Sequence, residues 1–532
     1  MTINLKAPLV THRSQLILAL ISGLLLALAF PKPDLGWLAW IALVPLILSL
    51  RKAPPRLGFG LGFGFGLVAN LGIINWTVHA MHVYGYIPMV QSVSVLVLFC
   101  AVLAVFSGLF GLLLALLAKR PWHLLVLAPA LWVALEFLRT WVFTGFPWAL
   151  LGYSQINHLW VIQIADLFGV YGVSALVVFI NSVAALAMLL WIEKTWQGQM
   201  VSKIVVKRSA ALLGVLLVVV VIYGIYRIHT TDKQSAEAAQ ASLVVVQGNI
   251  NQAQKWDPSF QVLTTAKYKN MSLAAAQSKV DLIIWPETAT PFYLFQDPLL
   301  TSMVVEGIKE THTAHLIGSP SVENAGDKEP LFLNSAFLVT PSGEEAGRYD
   351  KVHLVPFGEY VPLSRFLPFI QRLVTAAGDF TPGSKISPLL GEDISVGPLI
   401  CFESIFPEIA RSHVRQGVDL LVNITNDAWY GYSSAPYQTL IMSVFRAIEN
   451  RRPLIRSANT GFSAFIDHRG EILSQTDLFS REILVKRIPL VESFMSFYTQ
   501  NGDIFAGGCL MASIIILILK YYRSMLKSFK KK

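Results

Sequence analysis

Cysteine is scarce in this chain, and the scarcity limits what its thiols can do. Of three cysteines in 532 residues, Cys100 and Cys509 lie in long apolar runs and are interpreted as buried thiols. Cys401, in ISVGPLICFES, has no disulfide partner in its own region. The histidines of that region show no spacing with Cys401 that would suit a metal. Two interpretations of Cys401 remain open, a buried structural thiol and a nucleophile.

Charge is scarce as well. Charged residues make up 14% of the chain and hydrophobic residues 54%, whereas soluble domains carry roughly 25% charged residues. Acids are rarest in residues 1–230, which hold four of the 33. The sequence therefore predicts a membrane protein. The net charge of +9 lies mainly beside the apolar runs, which argues against nucleic-acid binding.

Eight segments are apolar enough to cross a bilayer, which takes ~20 residues. They lie near 14–30, 36–50, 57–77, 90–118, 122–142, 160–192, 209–227 and 504–522. Lys and Arg alternate between rich and poor connecting segments, and the rich segments are expected on the cytoplasmic side. Both termini are therefore predicted to be cytoplasmic. The segment between spans seven and eight is predicted on the periplasmic face of a bacterial inner membrane.

One apolar segment is rich in glycine. The run LGFGLGFGFGLVANLG, at residues 57–72, resembles a phosphate-binding loop only superficially, because it has no Lys-Ser/Thr ending. Small residues in such a segment favour close packing of helices.

The predicted domains follow from these patterns. Residues 1–229 form a membrane domain of seven transmembrane helices, and 230–241 form a polar linker. In residues 242–490, short β-branched runs alternate with helical stretches, which indicates an α/β domain with a sheet buried by helices. Residues 504–522 form the eighth transmembrane helix and 523–532 a basic cytoplasmic tail.

Three side chains of the α/β domain suit acyl chemistry. Cys401 ends a strand and meets a turn before a helix, where a nucleophile is exposed. Glu287, in IIWPETATP, follows a buried strand, and partial desolvation would raise its pKa toward that of a general base. Lys351 lies in an aromatic loop and could stabilise an oxyanion. Taken singly, Glu287 also fits a helix N-terminus and Lys351 a surface lysine.

Together these stretches resemble the nitrilase superfamily. The matching motifs are WPE at Glu287, YDKVHLVPFGE at Lys351 and CFES at Cys401, in that chain order. The resemblance implies an α-β-β-α sandwich over about residues 242–490. The whole chain is similar to the apolipoprotein N-acyltransferase family, which places a nitrilase-like domain between the seventh and eighth spans. Further matches are VQGNI, QKWDP, FLNSA and VNITNDAWYG.

The resemblance implies an activity and a role for each residue of the set. An acyl chain would move from a phospholipid to a cysteine thioester, and then to the α-amino group of the N-terminal diacylglyceryl-cysteine of an apolipoprotein, with ping-pong kinetics. Glu287 would be the base, Lys351 the oxyanion stabiliser and Cys401 the nucleophile. Glu359 and Glu403 would be supporting acids.

The resemblance also concerns three further positions. Trp256 and Asn334 match positions thought to shape or orient the site. Phe402 departs from the family, which more often has Tyr after the cysteine, so a role for that hydroxyl is in question here. The loops PFYLF (291–295), VPLSRFLPFIQRLV (361–374) and AWYGY (428–432) are candidates for an apolar rim facing the bilayer, and ordinary core packing is their alternative.

The implied reaction needs neither metal nor cofactor. Its partners would be a phospholipid donor, a diacylated apolipoprotein acceptor and membrane lipids, with no nucleic acid, and the chain is expected to be a monomer. Two other functions remain open. One is a membrane-anchored nitrilase-type amidase that uses water as acceptor, and the other is a transporter with an exported binding domain.

Overall fold

The computed structural model of the protein describes residues 12–323, 329–360, 380–490 and 494–529. The described chain divides into two compact units. The first, called the membrane unit here, comprises residues 12–75, 93–226 and 503–529. The second, called the catalytic unit, comprises residues 76–92, 227–323, 329–360, 380–490 and 494–502.

Among the described residues, six helices have the length and composition to cross a bilayer. They are Pro55–Ile73, Met89–Leu117, His123–Trp141, Val170–Ile192, Lys203–Glu237 and Ile504–Phe529. Shorter apolar helices lie at His12–Leu28, within Gly36–Leu50 and within Leu159–Phe168. The last of these corrects the predicted span at 160–192, because the chain turns at Gly169, with φ of 64°, before the long helix begins.

The glycine-rich run packs as the sequence predicted. A Cβ atom on Gly58 would lie 2.6 Å from the carbonyl oxygen of Gly111, and one on Gly62 would collide with the carbonyl of Ser107. Both glycines lie in helix Pro55–Ile73 and face the helix Met89–Leu117. The absence of side chains therefore permits the two backbones to approach closely.

The catalytic unit contains two six-stranded sheets. We label the strands β1 (Ala239–Gln247), β2 (Leu282–Ile284), β3 (Ala314–Glu323), β4 (Leu331–Val339), β5 (Glu345–Asp350), β6 (Leu389–Leu390), β7 (Ser395–Ile400), β8 (Leu420–Thr425), β9 (Leu454–Ala458), β10 (Ala464–Ile466), β11 (Ile472–Gln475) and β12 (Glu482–Leu490). The long helices are α1 (Pro258–Ala275), α2 (Pro298–Thr311), α3 (Pro407–Arg415) and α4 (Ala435–Asn450).

The strand order is β12-β1-β2-β3-β4-β5 in one sheet and β11-β10-β9-β8-β7-β6 in the other. At the centre of each sheet three strands run parallel, β1-β2-β3 and β7-β8-β9, and the flanking strands are antiparallel. Because parallel strands of one sheet end at the same edge, residues that follow β2, β7 and β8 emerge at the carboxyl ends of the central strands.

The sheets pack face to face over an apolar core. It joins Leu243, Val245 and Ile284 of the first sheet to Ile400, Val422 and Ile455 of the second. Helices α1 and α2 cover the other face of the first sheet through Tyr268, Met271, Val304 and Ile308. Helices α3 and α4 pack on β7 and β9. The predicted α-β-β-α sandwich is therefore confirmed.

The segment predicted as a linker has regular structure. Residues 230–237 are the last turns of helix Lys203–Glu237, and β1 begins at Ala239. Ser235 of this helix bonds His468 at 2.8 Å, and Arg469 pairs with Asp232 at 2.6 Å. These contacts give the polar helical turns partners within the catalytic unit.

Candidate active site

Cys401 lies where β7 ends in a sharp turn. Its φ is 53°, in the left-handed region that non-glycine residues seldom adopt. A 3-10 turn, Cys401–Ile405, follows and leads into α3. The carbonyl oxygen of Cys401 accepts hydrogen bonds from Ser404 Oγ at 3.0 Å and Asn423 Nδ2 at 3.3 Å. The strained backbone is thus held in place, as expected for a nucleophile on a strand-to-helix turn.

Two predicted carboxylates and the predicted lysine lie together beside it. The ammonium of Lys351 lies 2.8 Å from Glu359 Oε1 and 3.7 Å from Glu287 Oε1. Asn334 Nδ2 donates to the same two oxygens, at 2.8 Å to Glu287 and 3.2 Å to Glu359. The structure therefore brings these four predicted residues into one cluster, with Asn334 bridging the two acids.

The charges of this cluster keep Lys351 protonated. Its side chain is 1% exposed, and burial by itself would lower its pKa, but Glu359 and Glu287 outweigh that effect and the pKa is raised well above the ordinary value. Lys351 is therefore a fixed cation that is buried away from bulk solvent. Such a cation interacts more strongly with a developing negative charge than it would in water.

The same surroundings disfavour a free thiolate at Cys401. Burial and, to a smaller extent, the charge of Glu287 raise the pKa of the Cys401 thiol to about 12, although Lys351 opposes the shift. Such a thiol is almost entirely protonated at pH 7. The geometry therefore calls for a base that accepts the proton during the attack.

Glu403 connects the nucleophile's turn to the loop that follows Lys351. Its Oε2 accepts from the N–H of Ile400 at 2.7 Å, while Oε1 accepts from the N–H groups of Val352 and His353 at 2.7 and 3.2 Å and from Tyr349 Oη at 2.9 Å. Burial raises the pKa of Glu403 to about 7, although the backbone donors and Lys351 oppose this. The structure thus places Glu403 in a position to orient both backbones.

Trp256 and Phe402 lie at the edges of this arrangement. Trp256 is half-buried, with its ring centroid 5.9 Å from the ammonium of Lys255. The ring of Phe402 packs edge-on against Phe406, at 5.2 Å between centroids, and lies 6.0 Å from His353. An aromatic cluster therefore occupies the place where the family more often has a tyrosine.

Two sets of polar residues were not predicted from the sequence. Lys255 is buried and contacts the Glu287 turn. Arg456 donates to Asp427 at 2.8 Å and to Asn423, which supports the cysteine turn. Asn423 and Asp427 lie in the quoted VNITND stretch and Lys255 in QKWDP, so the signal was adjacency to a recognised motif.

Part of the predicted apolar rim is exposed. Tyr293 and Phe295 are partly exposed, Tyr432 is 67% exposed, and Phe292 and Leu294 are buried in the core instead. The predicted loop at 361–374 lies outside the described residues. Within the described ranges, no three His, Cys, Asp or Glu side chains are grouped as a metal site would require, and the absence of a metal from the reaction stays a prediction.

A half-buried cysteine on a turn, an adjacent carboxylate and a fixed ammonium can form and break an acyl bond. Residues 243–493, most of the catalytic unit, match the family model for carbon-nitrogen hydrolase. A carbon-nitrogen hydrolase from Helicobacter pylori G27 is 18% identical, covering 47% of this chain and 90% of its own, with a TM-score of 0.36.

Matches to the N-terminal region and to the whole chain identify the family more closely. Residues 22–183 match the model for the apolipoprotein N-acyltransferase N-terminal domain. The apolipoprotein N-acyltransferase of Geobacter metallireducens is 44% identical over 512 residues, 96% of each chain. That of Azotobacter vinelandii is 34% identical over 499 residues, 92% of each chain. The chain belongs to the apolipoprotein N-acyltransferase family, whose members are bacterial membrane enzymes.

Proposed function

We propose that Cys401, Glu287 and Lys351 transfer an acyl chain from a phospholipid to the N-terminal amine of a diacylated apolipoprotein. This is the activity of the family to which the chain belongs, and it is a step in lipoprotein maturation. The observation that carries the assignment of residues is the cluster itself. Lys351 contacts both acids, and Cys401 is near enough to Glu287 and Lys351 for both to shift its pKa.

In the first half-reaction the thiol of Cys401 attacks an ester carbonyl of the phospholipid. Glu287 accepts the thiol proton as the S–C bond forms, because a pKa of about 12 leaves almost no thiolate at neutral pH. Lys351 stabilises the tetrahedral oxyanion. The C–O bond then breaks, the proton on Glu287 passes to the leaving alkoxide, and a lysophospholipid departs from the thioester.

In the second half-reaction the uncharged amine of the acceptor attacks the thioester carbonyl. Its proton passes to Glu287, and the C–S bond breaks, after which that proton returns to the sulfur of Cys401. An amine is a far better nucleophile than water toward a thioester, so the burial of the site supports transfer over hydrolysis. The two half-reactions share one covalent intermediate, and we therefore expect ping-pong kinetics.

Asn334 and Glu359 prepare the cluster for both steps. Glu359 pairs more closely with Lys351 than Glu287 does, at 2.8 against 3.7 Å. Glu287 therefore remains available to take a proton while Lys351 keeps a partner. Asn334 donates to both acids and fixes the distance between them.

The proposal includes the arrangement in the membrane. Eight spans, cytoplasmic termini and a periplasmic catalytic domain are supported by the concentration of Lys and Arg in alternate connecting segments. The domain bounds proposed are 1–229, 242–490 and 504–522, joined by 230–241 and followed by the tail 523–532. Exposed Tyr293, Phe295 and Tyr432 suit a site whose lipid substrates stay in the bilayer, and the chain would act as a monomer.

Trapping the intermediate tests the proposal. Full-length protein in detergent is mixed with a phospholipid of defined chain length, and the peptide containing Cys401 is weighed by mass spectrometry. We expect the mass of one acyl group on that peptide and release of lysophospholipid. A diacylated lipopeptide added next should become triacylated. Cys401→Ala should abolish both products, whereas Cys509→Ser should retain them.

Two results would contradict the proposal. Release of free fatty acid with no triacylated peptide would indicate a hydrolase that uses water. Full acyl transfer by Cys401→Ala would show that Cys401 is not the nucleophile and would contradict the thioester mechanism.

A further inference from the structure

A second lysine is buried against the turn that carries Glu287. Lys255 ends the short helix Gln252–Lys255 and is 2% exposed. Its ammonium donates to the backbone carbonyl oxygen of Glu287 at 3.1 Å and to Thr288 Oγ1 at 2.5 Å. A buried ammonium is costly unless its donors are satisfied, so this placement needs a reason.

The backbone at Thr288 is in an unfavourable conformation. Its φ is 45°, in the left-handed region, where a β-branched residue is an outlier. Such a conformation persists only where surrounding contacts hold it, and such residues cluster at functional sites. This φ is the rotation about the N–Cα bond of Thr288. Lys255 contacts one group on each side of that bond, namely the carbonyl of Glu287 and the side chain of Thr288.

Strand β3 restricts the same turn by a separate contact. A Cβ atom on Gly318 would lie 2.7 Å from Cα of Glu287 and 2.8 Å from N of Thr288. The N–H of Thr290 donates to the carbonyl of Gly318 at 3.3 Å. The turn is therefore packed against the backbone of β3, while Lys255 supplies the polar contacts.

Lys255 and Asn334 act on different parts of Glu287. Asn334 donates to the carboxylate oxygen Oε1, whereas the ammonium of Lys255 donates to the main-chain carbonyl of Glu287 and to the hydroxyl of Thr288. Asn334 can therefore fix the carboxylate only if the main chain is already in the right place. Burial lowers the pKa of Lys255 to about 8, while Glu287 and Cys401 oppose the shift, so the ammonium predominates at neutral pH.

We propose that Lys255 is a positioning residue for the general base. Its ammonium holds Thr288 in the left-handed backbone conformation and thereby directs the carboxylate of Glu287 at the thiol proton. This inference rests on the proposed function, because it gives Glu287 the role of base.

The experiment measures single-turnover formation of the Cys401 thioester by full-length protein over a range of phospholipid concentrations. Lys255→Met keeps the length of the side chain and removes its donors. We expect its limiting rate to fall about 10-fold to 100-fold, the range in which local backbone strain acts. The phospholipid concentration at half-maximal rate should change little, because the change affects proton transfer rather than binding.

A double variant separates positioning from general damage. Glycine adopts positive φ without the penalty of a side chain. Lys255→Met with Thr288→Gly should therefore recover most of the lost rate, although neither substitution restores the ammonium. Lys255→Arg should recover part of it, because a guanidinium can donate to the same two acceptors. Lys269→Met is the matched control, since Lys269 pairs with Glu306 and Glu310 elsewhere on the unit, and should keep the full rate.

The remaining outcomes would contradict the proposed role of Lys255 or the proposed function. A Lys255→Met rate within threefold of wild type overturns the inference, as does a double variant no faster than Lys255→Met. If Lys255→Met does not fold, Thr288→Val takes its place, because it removes the hydroxyl acceptor and keeps the shape. It should be slower than wild type, and an unchanged rate would contradict the inference. Failure of the wild-type protein to form a thioester would instead refute the proposed function.

Discussion

Replacing Glu287 by Gln should slow the acylation of Cys401 but should not make its thiol harder to ionise. The variant keeps the size of the side chain and removes the proton acceptor. General-base catalysis contributes typically 10²–10⁴-fold, so the rate of thioester formation should fall by about that factor. The effect should be on the limiting rate, because the proposed role of Glu287 is to accept a proton.

The thiol itself should become easier to ionise in this variant. In the wild-type protein the Glu287 carboxylate raises the pKa of Cys401, whose value is about 12, and the neutral amide removes that repulsion while Lys351 remains. Alkylation by iodoacetamide depends on the thiolate. We therefore expect alkylation of Glu287→Gln at pH 9 to be at least as fast as that of wild type.

Both reactions are measured on the same protein samples. Mass spectrometry of the peptide containing Cys401 reports acylation from phospholipid and, separately, alkylation. Glu392→Gln, at an exposed position of the same unit, is the matched control and should leave both rates unchanged. Acylation at the wild-type rate would refute Glu287 as the base. A parallel loss of both reactions would show that the substitution damages access to the cysteine and would contradict the electrostatic argument.

Two further substitutions test the supports of the nucleophile. The pKa of Glu403 is raised from an ordinary 4.5 to about 7. Ionisation of Glu403 therefore lowers the free energy of unfolding by about 3 kcal/mol above pH 7 and has no effect below pH 4.5. Glu403→Gln removes that pH dependence and loses the acceptor of the Ile400 N–H, worth about 1–3 kcal/mol. Its melting temperature should therefore fall furthest below wild type at pH 5 and approach it at pH 8, and a pH-independent difference would contradict this. Phe402→Tyr should alter the acylation rate less than about threefold, because the ring packs against Phe406 and His353, and a larger gain would give the family's hydroxyl a direct role.

The fold could be predicted from the sequence where the arrangement of apolar residues is typical of one kind of secondary structure. Continuous apolar runs in 242–250 and 419–427 correspond to β1 and β8 because buried parallel strands read as unbroken hydrophobic stretches. The break at Gly169 within the predicted span 160–192 was missed, since hydropathy is continuous across it. The helical turns at 230–237 were missed because their partners, such as His468, are remote in sequence.

The sequence predicted those residues of the candidate site that define recognisable motifs. Glu287, Lys351 and Cys401 carry recognisable neighbours at fixed chain order, and the structure brings them together. Lys255 lies next to Trp256 in a quoted motif and was still overlooked, because nothing local indicates that an ammonium will be buried against a turn 32 residues away.

The sequence by itself determined that the chain is a membrane protein and which residue types are available for acyl transfer, because hydropathy, charge and motif order are properties of the linear chain. Only the tertiary structure decided the electrostatic state of those residues and the strain of the turns that hold them. The pKa of Cys401 depends on burial and on charges brought from 50 and 114 residues away, and the left-handed backbone of Thr288 depends on contacts made after the sheets have formed.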